Sequence, residues 1–470
     1  MFTRASDPTI QVYIPAKVTA LAFEDGGSLG LSNNGTVGIV TDTTTDMDHT
    51  ITIASGTTES DIVVLSTSDT HIVTVVGQTD TAGKTDAVKF DATVDVNLLS
   101  NYFTPGSTLD LDAPMTLKVG AATAIVSDIE AVHFANAKVL IVGAGGYASL
   151  TEASAAAKGG EVIYVADKKL ADGDNGVINH SDISIYIANG DGANMKLADN
   201  LVTTGEGVRI YGNHSFNLTG TAGADTVHDY TNLSAGLTNN IYGMDGADNL
   251  ASHSSDLGTH ILTGGSGADI LVGGTGAQLL GGDGNDKLMA FGGAALLSGG
   301  AGDDLLLNAY GSADGLKTVN MIGGSGNDTF GLISSDDANQ SGTMRTVVTD
   351  LGTGDKVDLS FVESTLEKNA GLSVNSVADF TAAGGKATMN TAGTTLNLGT
   401  SVVTSTDISD SLNSNGITDV NSKVIAGTMI LSNATLTKAS AAINAADTQT
   451  STVDFSTTFG HLTDTYTHNG

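Results

Sequence analysis

Short runs in which apolar and polar residues alternate, broken by Gly, Asn and Asp, fill most of this 470-residue chain. Near the start the runs are Val37-Gly-Ile-Val-Thr-Asp, His49-Thr-Ile-Thr-Ile and Asp61-Ile-Val-Val-Leu. A period of two predicts half-buried strands, and the Gly-Thr and Asp-Thr clusters between them predict turns. Residues 1–137 are therefore expected to form an N-terminal β domain, either a sandwich or a β-roll-like fold. Val126-Ser-Asp-Ile-Glu-Ala-Val-His-Phe-Ala would close it. Its acidic residues Asp42, Asp46 and Asp48 read as a solvated turn, with a calcium loop as the alternative.

The texture changes over 138–219. Lys138-Val-Leu-Ile-Val reads as a strand, a glycine turn follows, and Ser149 to Lys158 reads as a short helix. Ser149 and Glu152 have capping-box spacing, and Gly159-Gly160 forms a stop. Glu161-Val-Ile-Tyr-Val-Ala-Asp is the next strand. Two readings are open. Gly143, Gly145 and Ala148 match the G-x-G-x-x-G/A dinucleotide fingerprint, with Asp167 near the place of the ribose-binding acid. The residues after Asn175 argue against a doubly wound sheet, because they predict only short strands such as Ile183-Ser-Ile-Tyr-Ile and Val208-Arg-Ile-Tyr. The segment better resembles the first turn of a right-handed parallel β-helix of the pectate-lyase-like superfamily, where a short amphipathic helix caps the open coil.

From about residue 220 to 350 the chain repeats. The pattern G-G-x-G-x-D-x-U-x, with U apolar, begins at Gly264, Gly281, Gly299 and Gly323, and looser copies begin at Gly220 and Gly243. A turn that brings several backbone carbonyls onto one hard cation needs left-handed φ, which glycine adopts without steric cost. The Asp at position six adds a carboxylate, and calcium accepts roughly 6–8 oxygens in a tolerant geometry. One repeat cannot bury its U residue alone, so coils must stack. This pattern resembles the RTX (repeats-in-toxin) family over about a quarter of the chain. The resemblance implies calcium held between stacked turns, with two nonapeptides per coil. The implied ligands are Asp225, Asp248, Asp269, Asp286, Asp304 and Asp328. Gly264, Gly267, Gly281, Asp283, Gly299, Gly302, Gly323 and Gly326 would line the same turns.

The starts lie 23, 21, 17, 18 and 24 residues apart, each about one full coil. Degraded halves fall between them: one carries Gln278 in place of Asp, and Ala290-Phe-Gly-Gly-Ala-Ala-Leu-Leu carries no acid. This predicts calcium along one edge of the roll and an ion-poor opposite edge, from which Asn308-Ala-Tyr-Gly-Ser-Ala-Asp-Gly would bulge. Binding on both edges is the alternative. Beyond the repeats, Gly354-Asp-Lys-Val-Asp-Leu-Ser resembles the segment that closes RTX rolls, so Asp355 and Asp358 are candidates for a terminal ion. Residues 351–470 are expected to form a C-terminal β domain with one helix, Leu436 to Asp447. Its tail, Ser451 to Gly470, has no Lys or Arg and is similar to an uncleaved type I export signal. The expected fold is thus all-β: a parallel β-solenoid, with a short β-helix and then an RTX β-roll, flanked by N- and C-terminal β domains.

Composition narrows the function. There are 19 basic against 52 acidic side chains, a net charge of −33. That balance repels phosphate and anionic lipid, so neither nucleic acid nor an anionic membrane is expected as a partner. The absence of cysteine removes disulfides and thiolate chemistry. No apolar run is long enough for a transmembrane segment, and the first residues lack a cleavable signal pattern. With the RTX resemblance, these features imply secretion to the cell surface or beyond.

No H-E-x-x-H, G-x-S-x-G or P-loop occurs. His253 and His260 flank a turn and are expected to be solvated. Arginine is confined to Arg4, Arg209 and Arg345, and Trp is absent, which suits uronate chemistry poorly. The chain is therefore expected not to be an enzyme. It resembles RTX-containing surface-layer and extracellular-matrix proteins, which implies calcium-driven self-assembly into a lattice or fibre, with cell-surface polysaccharide as a further partner. A β-helix polysaccharide lyase or epimerase, or an adhesin, is the alternative.

Overall fold

The computed structural model describes residues 48–53 and most of 62–358, together with short strands nearer both ends. Within 62–358 it leaves out 78–85, 106–112, 169, 171–175, 205, 253–256, 292–294, 310–316, 334–343 and 351–354. Asp46, His253, the expected helix at 436–447 and most of the expected bulge at 308–315 lie outside the described residues. The chain divides into two units, Met1–Leu218 and Thr219–Gly470.

In the first unit the strands alternate between two ladders. One runs Thr9–Tyr13, Ser28–Ser32, His49–Ile53, Ile72–Val76 and Ala122–Ser127, each parallel to the next. The other runs Ala20–Leu21, Ile39–Asp42, Ile62–Leu65, Ala87–Phe90 and Ala131–His133, also parallel. The first four members of the first ladder start 19, 21 and 23 residues apart, the length of a coil and not of a hairpin. The N-terminal strands are therefore wound as a solenoid, not laid out as the antiparallel sheets of a sandwich. Alternation alone does not separate these two, since both bury every second residue. Of the acidic trio, Asp48 is exposed and accepts the Ile72 amide at 2.8 Å. Asp42 ends the strand Ile39–Asp42.

After an antiparallel step at Lys138–Val142 the winding resumes through Val162–Val165, Ile183–Ile187 and Val208–Gly212. Register stacks like on like. Ile163, Ile185 and Ile210 align and are fully buried. Tyr164 and Tyr186 stack at 5.6 Å on the other face, and Phe103 covers Tyr164 at 4.7 Å.

The glycine turn resolves the two readings of 138–219. Gly143 and Gly145 are left-handed, with φ of 86° and 78°. A Cβ on Gly146 would lie 2.7 Å from the carbonyls of both Ile129 and Ile141, and one on Gly145 would lie 2.7 Å from the Asp128 amide nitrogen. The space that a dinucleotide fingerprint keeps for pyrophosphate is filled here by the protein's own backbone. The helix, Leu150–Ala156, has Ser149 as its N-cap, and its polar side chains cover a strand edge. Thr151 Oγ1 accepts the Val177 amide at 2.9 Å, Ser154 Oγ donates to the Val177 carbonyl at 2.9 Å, and Ser154 Oγ accepts the Asn179 amide at 3.1 Å. An edge strand with its backbone groups satisfied this way cannot template further pairing.

The second unit is wound in the same manner. One parallel ladder contains Thr226–Asp229, Asn249–Ser252, Ile270–Gly273, Lys287–Phe291, Leu305–Ala309, Thr329–Ile333 and Lys356–Asp358. The facing ladder contains Thr238–Asp245, Thr259–Ser266, Gln278–Asp283, Leu296–Ala301, Lys317–Ser325 and Met344–Val348. The U residues Leu250, Leu271, Leu288, Leu306 and Phe330 align on the first ladder, all at 0% exposure. Leu262, Leu279, Leu297 and Met321 align on the second, equally buried. Each such side chain stabilises the roll by about 1.5–3 kcal/mol.

His260 corrects an expectation. It is not solvated but fully buried, with Nδ1 2.6 Å from Asp229 Oδ2. Asp229 Oδ1 also accepts the amide and hydroxyl of Thr231, and Asn239 Nδ2 donates to Asp229 Oδ2 at 2.8 Å. A turn-flanking position in sequence is here the start of a core strand, and a buried carboxylate supplies the partner that burial of a histidine requires.

Candidate metal centre

Every intact nonapeptide falls where the chain crosses from the second ladder to the first. Thr259–Ser266 leads through Gly267 to Asp269 and into Ile270–Gly273, and Gln278–Asp283 leads through Gly284 to Asp286 and into Lys287–Phe291. The glycine turns therefore stack on one edge. The return crossings, which include Gly274–Ala277 before Gln278, lie on the other. Glycine is required at the turn itself. Gly265 and Gly267 have φ of 120° and 142°, and a Cβ on either would run into the Met244 or Gly246 carbonyl of the preceding coil.

This stacking aligns the position-six aspartates. The Asp225 amide donates to Asp248 Oδ1, the Asp248 amide to Asp269 Oδ1, the Asp269 amide to Asp286 Oδ1 and the Asp286 amide to Asp304 Oδ1, each at 2.8 Å. Asp304 and Asp328 donate onward to Asp328 Oδ1 and Asp355 Oδ1, both at 3.0 Å. The result is a ladder of carboxylates with 1–2% exposure from Asp225 to Asp328.

From Asp248 to Asp328 each rung uses one oxygen and leaves the other bare. Oδ2 of Asp248, Asp269, Asp286, Asp304 and Asp328 is buried and has no hydrogen-bond partner. These oxygens face the first glycine of their own turn. A Cβ on Gly264 would run into Asp269 Oδ2 and lie 2.7 Å from the Gly281 carbonyl of the next coil. Gly243 and Gly299 show the same arrangement, each with the next coil's carbonyl at 2.6 Å. A bare carboxylate oxygen beside a carbonyl, in a space that glycine keeps clear, fits a hard cation with oxygen ligands. Among the described residues no three His, Cys, Asp or Glu side chains converge on one point. An ion here would thus be held by few carboxylates and mainly by backbone carbonyls.

Burial raises every one of these carboxyls. Asp248 and Asp304 are pushed up to about 7, and Asp286 and Asp328 to about 6, chiefly by desolvation, with neighbouring aspartates adding to the rise. Asp225 and Asp269 are raised for the same first reason. Without a cation, the fold resists the charged state of its own ladder.

The remaining sequence candidates sit as follows. Gly281, Gly299 and Gly323 begin their turns beside Asp286, Asp304 and Asp328, while Gly302 and Gly326 carry left-handed φ. Asp283 is exposed at the end of its strand, where its carbonyl accepts the Gly267 amide at 2.7 Å. Asp355 is the last rung of the ladder. Asp358 lies three residues on, in strand register with Gly331 and away from the turns. Sequence reasoning missed Asp350. Its two oxygens accept the Gly323 and Gly324 amides at 3.0 and 2.8 Å, so a side chain takes up donors at the last turn. No motif marks it.

Residues 212–413 match the family model described as Peptidase M10 serralysin C terminal. Domains of this description are RTX-type β-rolls that typically bind calcium. No curated protein and no solved structure matches the chain. The RTX roll is of a kind typical of secreted proteins. The family match and the aspartate ladder coincide in the same turns.

Proposed function

We propose that this chain is a secreted structural protein that folds its RTX roll on meeting calcium and assembles with copies of itself into a surface layer, fibre or matrix. The observation that carries the reading is the row of five buried Oδ2 atoms without hydrogen-bond partners on one edge. A buried unpaired carboxylate oxygen is costly, and a bound cation relieves that cost at every rung at once. Assembly is supported by the charge. At −33 per chain, copies repel one another until divalent ions neutralise acidic groups or bridge them. The exposed Asp48 and Asp283 are groups of that sort.

The test is light scattering and electron microscopy of the full chain in chelator, in calcium, and in NaCl of equal ionic strength. A monomer in chelator and a regular lattice or fibre in calcium alone is the expected result. A monomer throughout, up to about 10 mM calcium, or equal assembly in NaCl, which would act by screening alone, refutes the assembly reading.

A further inference from the structure

Position two of the nonapeptide is not uniform along the stacked edge. From the first turn to the last it is Thr221, Met244, Gly265, Gly282, Gly300 and Gly324. The last five carry left-handed φ between 85° and 120°, and Thr221 does not. The consequence is visible at the carboxylate. Thr221 donates its amide to Asp225 Oδ2 at 2.6 Å and its hydroxyl to Asp225 Oδ1 at 3.2 Å. The Thr221 hydroxyl in turn accepts the Gly223 amide at 3.0 Å, closing a small ring inside the turn. Asp225 is the one ladder aspartate before Asp355 whose Oδ2 is hydrogen-bonded; the five that follow it have that oxygen bare.

We infer that Thr221 makes the first turn an ion-free cap, so that the calcium ladder begins at Asp248 and not at Asp225. The inference rests on the calcium reading of the roll and adds to it where the ladder starts. A cation at Asp225 would have to take an oxygen that already accepts a short N–H bond. It would leave the Thr221 amide buried without an acceptor, since Thr221 is 6% exposed. At the next five turns the same step displaces nothing. The cap still serves the ladder, because the Asp225 amide donates to Asp248 Oδ1 as every later rung does. The first coil thus presents a complete hydrogen-bonded end to the ion-holding turns.

The test counts calcium ions per full-length chain by equilibrium dialysis with elemental analysis, backed by calorimetric titration. Thr221→Gly restores the G-G start of the turn and is expected to add about one ion per chain, as one more turn of the calcium-binding type. Asp225→Asn is expected to leave the wild-type count unchanged, whereas Asp269→Asn lowers it. An unchanged count in Thr221→Gly, or loss of an ion in Asp225→Asn, overturns the cap. Should Thr221→Gly fail to fold, the paired aspartate variants decide alone. A wild-type chain that takes up no calcium at all would instead overturn the calcium reading on which the cap depends.

Discussion

Replacing Asp286 by Asn should have opposite effects with and without calcium, and the structure sets the size of one of them. Asp286 is 1% exposed. Its Oδ1 accepts the Asp269 amide at 2.8 Å, and its Oδ2 has no partner. Burial, with Asp269 and Asp283 adding to it, pushes this carboxyl from 3.8 up to about 6. At about 1.4 kcal/mol per pH unit, holding it charged costs the ion-free fold about 3 kcal/mol. The sign follows from the raised value. The stability given by the protonated form is full below 3.8 and is lost as the pH rises through about 6. Asparagine keeps the acceptor for Asp269 and carries no charge. In chelator at neutral pH, Asp286→Asn should therefore be more stable than wild type by about 3 kcal/mol, and the gain should vanish near pH 3. In millimolar calcium the order should reverse, because a neutral amide is a poorer ligand than a carboxylate. Urea titrations followed by circular dichroism, in chelator and in calcium at both pH values, measure all four cases. If wild type has already melted in chelator, the variant should show the greater β ellipticity. Destabilisation of equal size with and without calcium would show that this oxygen serves the fold and not an ion.

Three further outcomes are expected. Leu288→Ala opens a cavity in a fully buried ladder and should cost about 2–5 kcal/mol in urea titration while leaving the calcium count intact. Met244→Gly removes a side chain held at φ 85° and should stabilise the roll by about 0.5–1 kcal/mol, read as a higher urea midpoint. Asp229→Ala deprives buried His260, Thr231 and Asn239 of their shared acceptor. It should cost about 3 kcal/mol or more, and a loss below about 0.5 kcal/mol, the scale of ordinary surface changes, would show that the network relaxes without it.

The parts of this molecule that repeat were legible in its residues. Spacing of one coil between G-G-x-G-x-D copies placed the intact turns on a common edge, because a turn of fixed length returns the chain to the same side each time. The U positions announced the core for the same reason. What was not legible depended on partners distant in sequence. His260 looked like a turn residue until Asp229, 31 positions away, met it in the core. Asp350 lies 27 residues beyond the Gly323 amide it accepts, and no local motif connects them. The N-terminal strands alternate as sandwich strands do, and only the 19 to 25 residues between the first four members of each ladder mark them as coils. Thr221 stood in plain view as a flaw in the first repeat, yet its meaning needed the two bonds to Asp225.

The aspartate ladder also explains why such a roll would wait for its ion. Adjacent strands lie about 4.8 Å apart, so neighbouring rungs bring like charges to about that separation. At an effective dielectric near 20, two unit charges there repel by about 3 kcal/mol. Five bare oxygens in one row cannot all be charged in a fold that is stable by about 5–15 kcal/mol. The row must be protonated, neutralised by cations, or pulled apart. Near neutral pH, protonation is at best partial, since Asp286 and Asp328 are raised only to about 6. On the proposed reading the choice therefore falls to calcium. Where calcium is scarce the coils stay apart and the chain can be exported unfolded. Where it is millimolar, each ion added neutralises two flanking rungs and eases the closing of the next, so the roll should form cooperatively along its edge and not turn by turn.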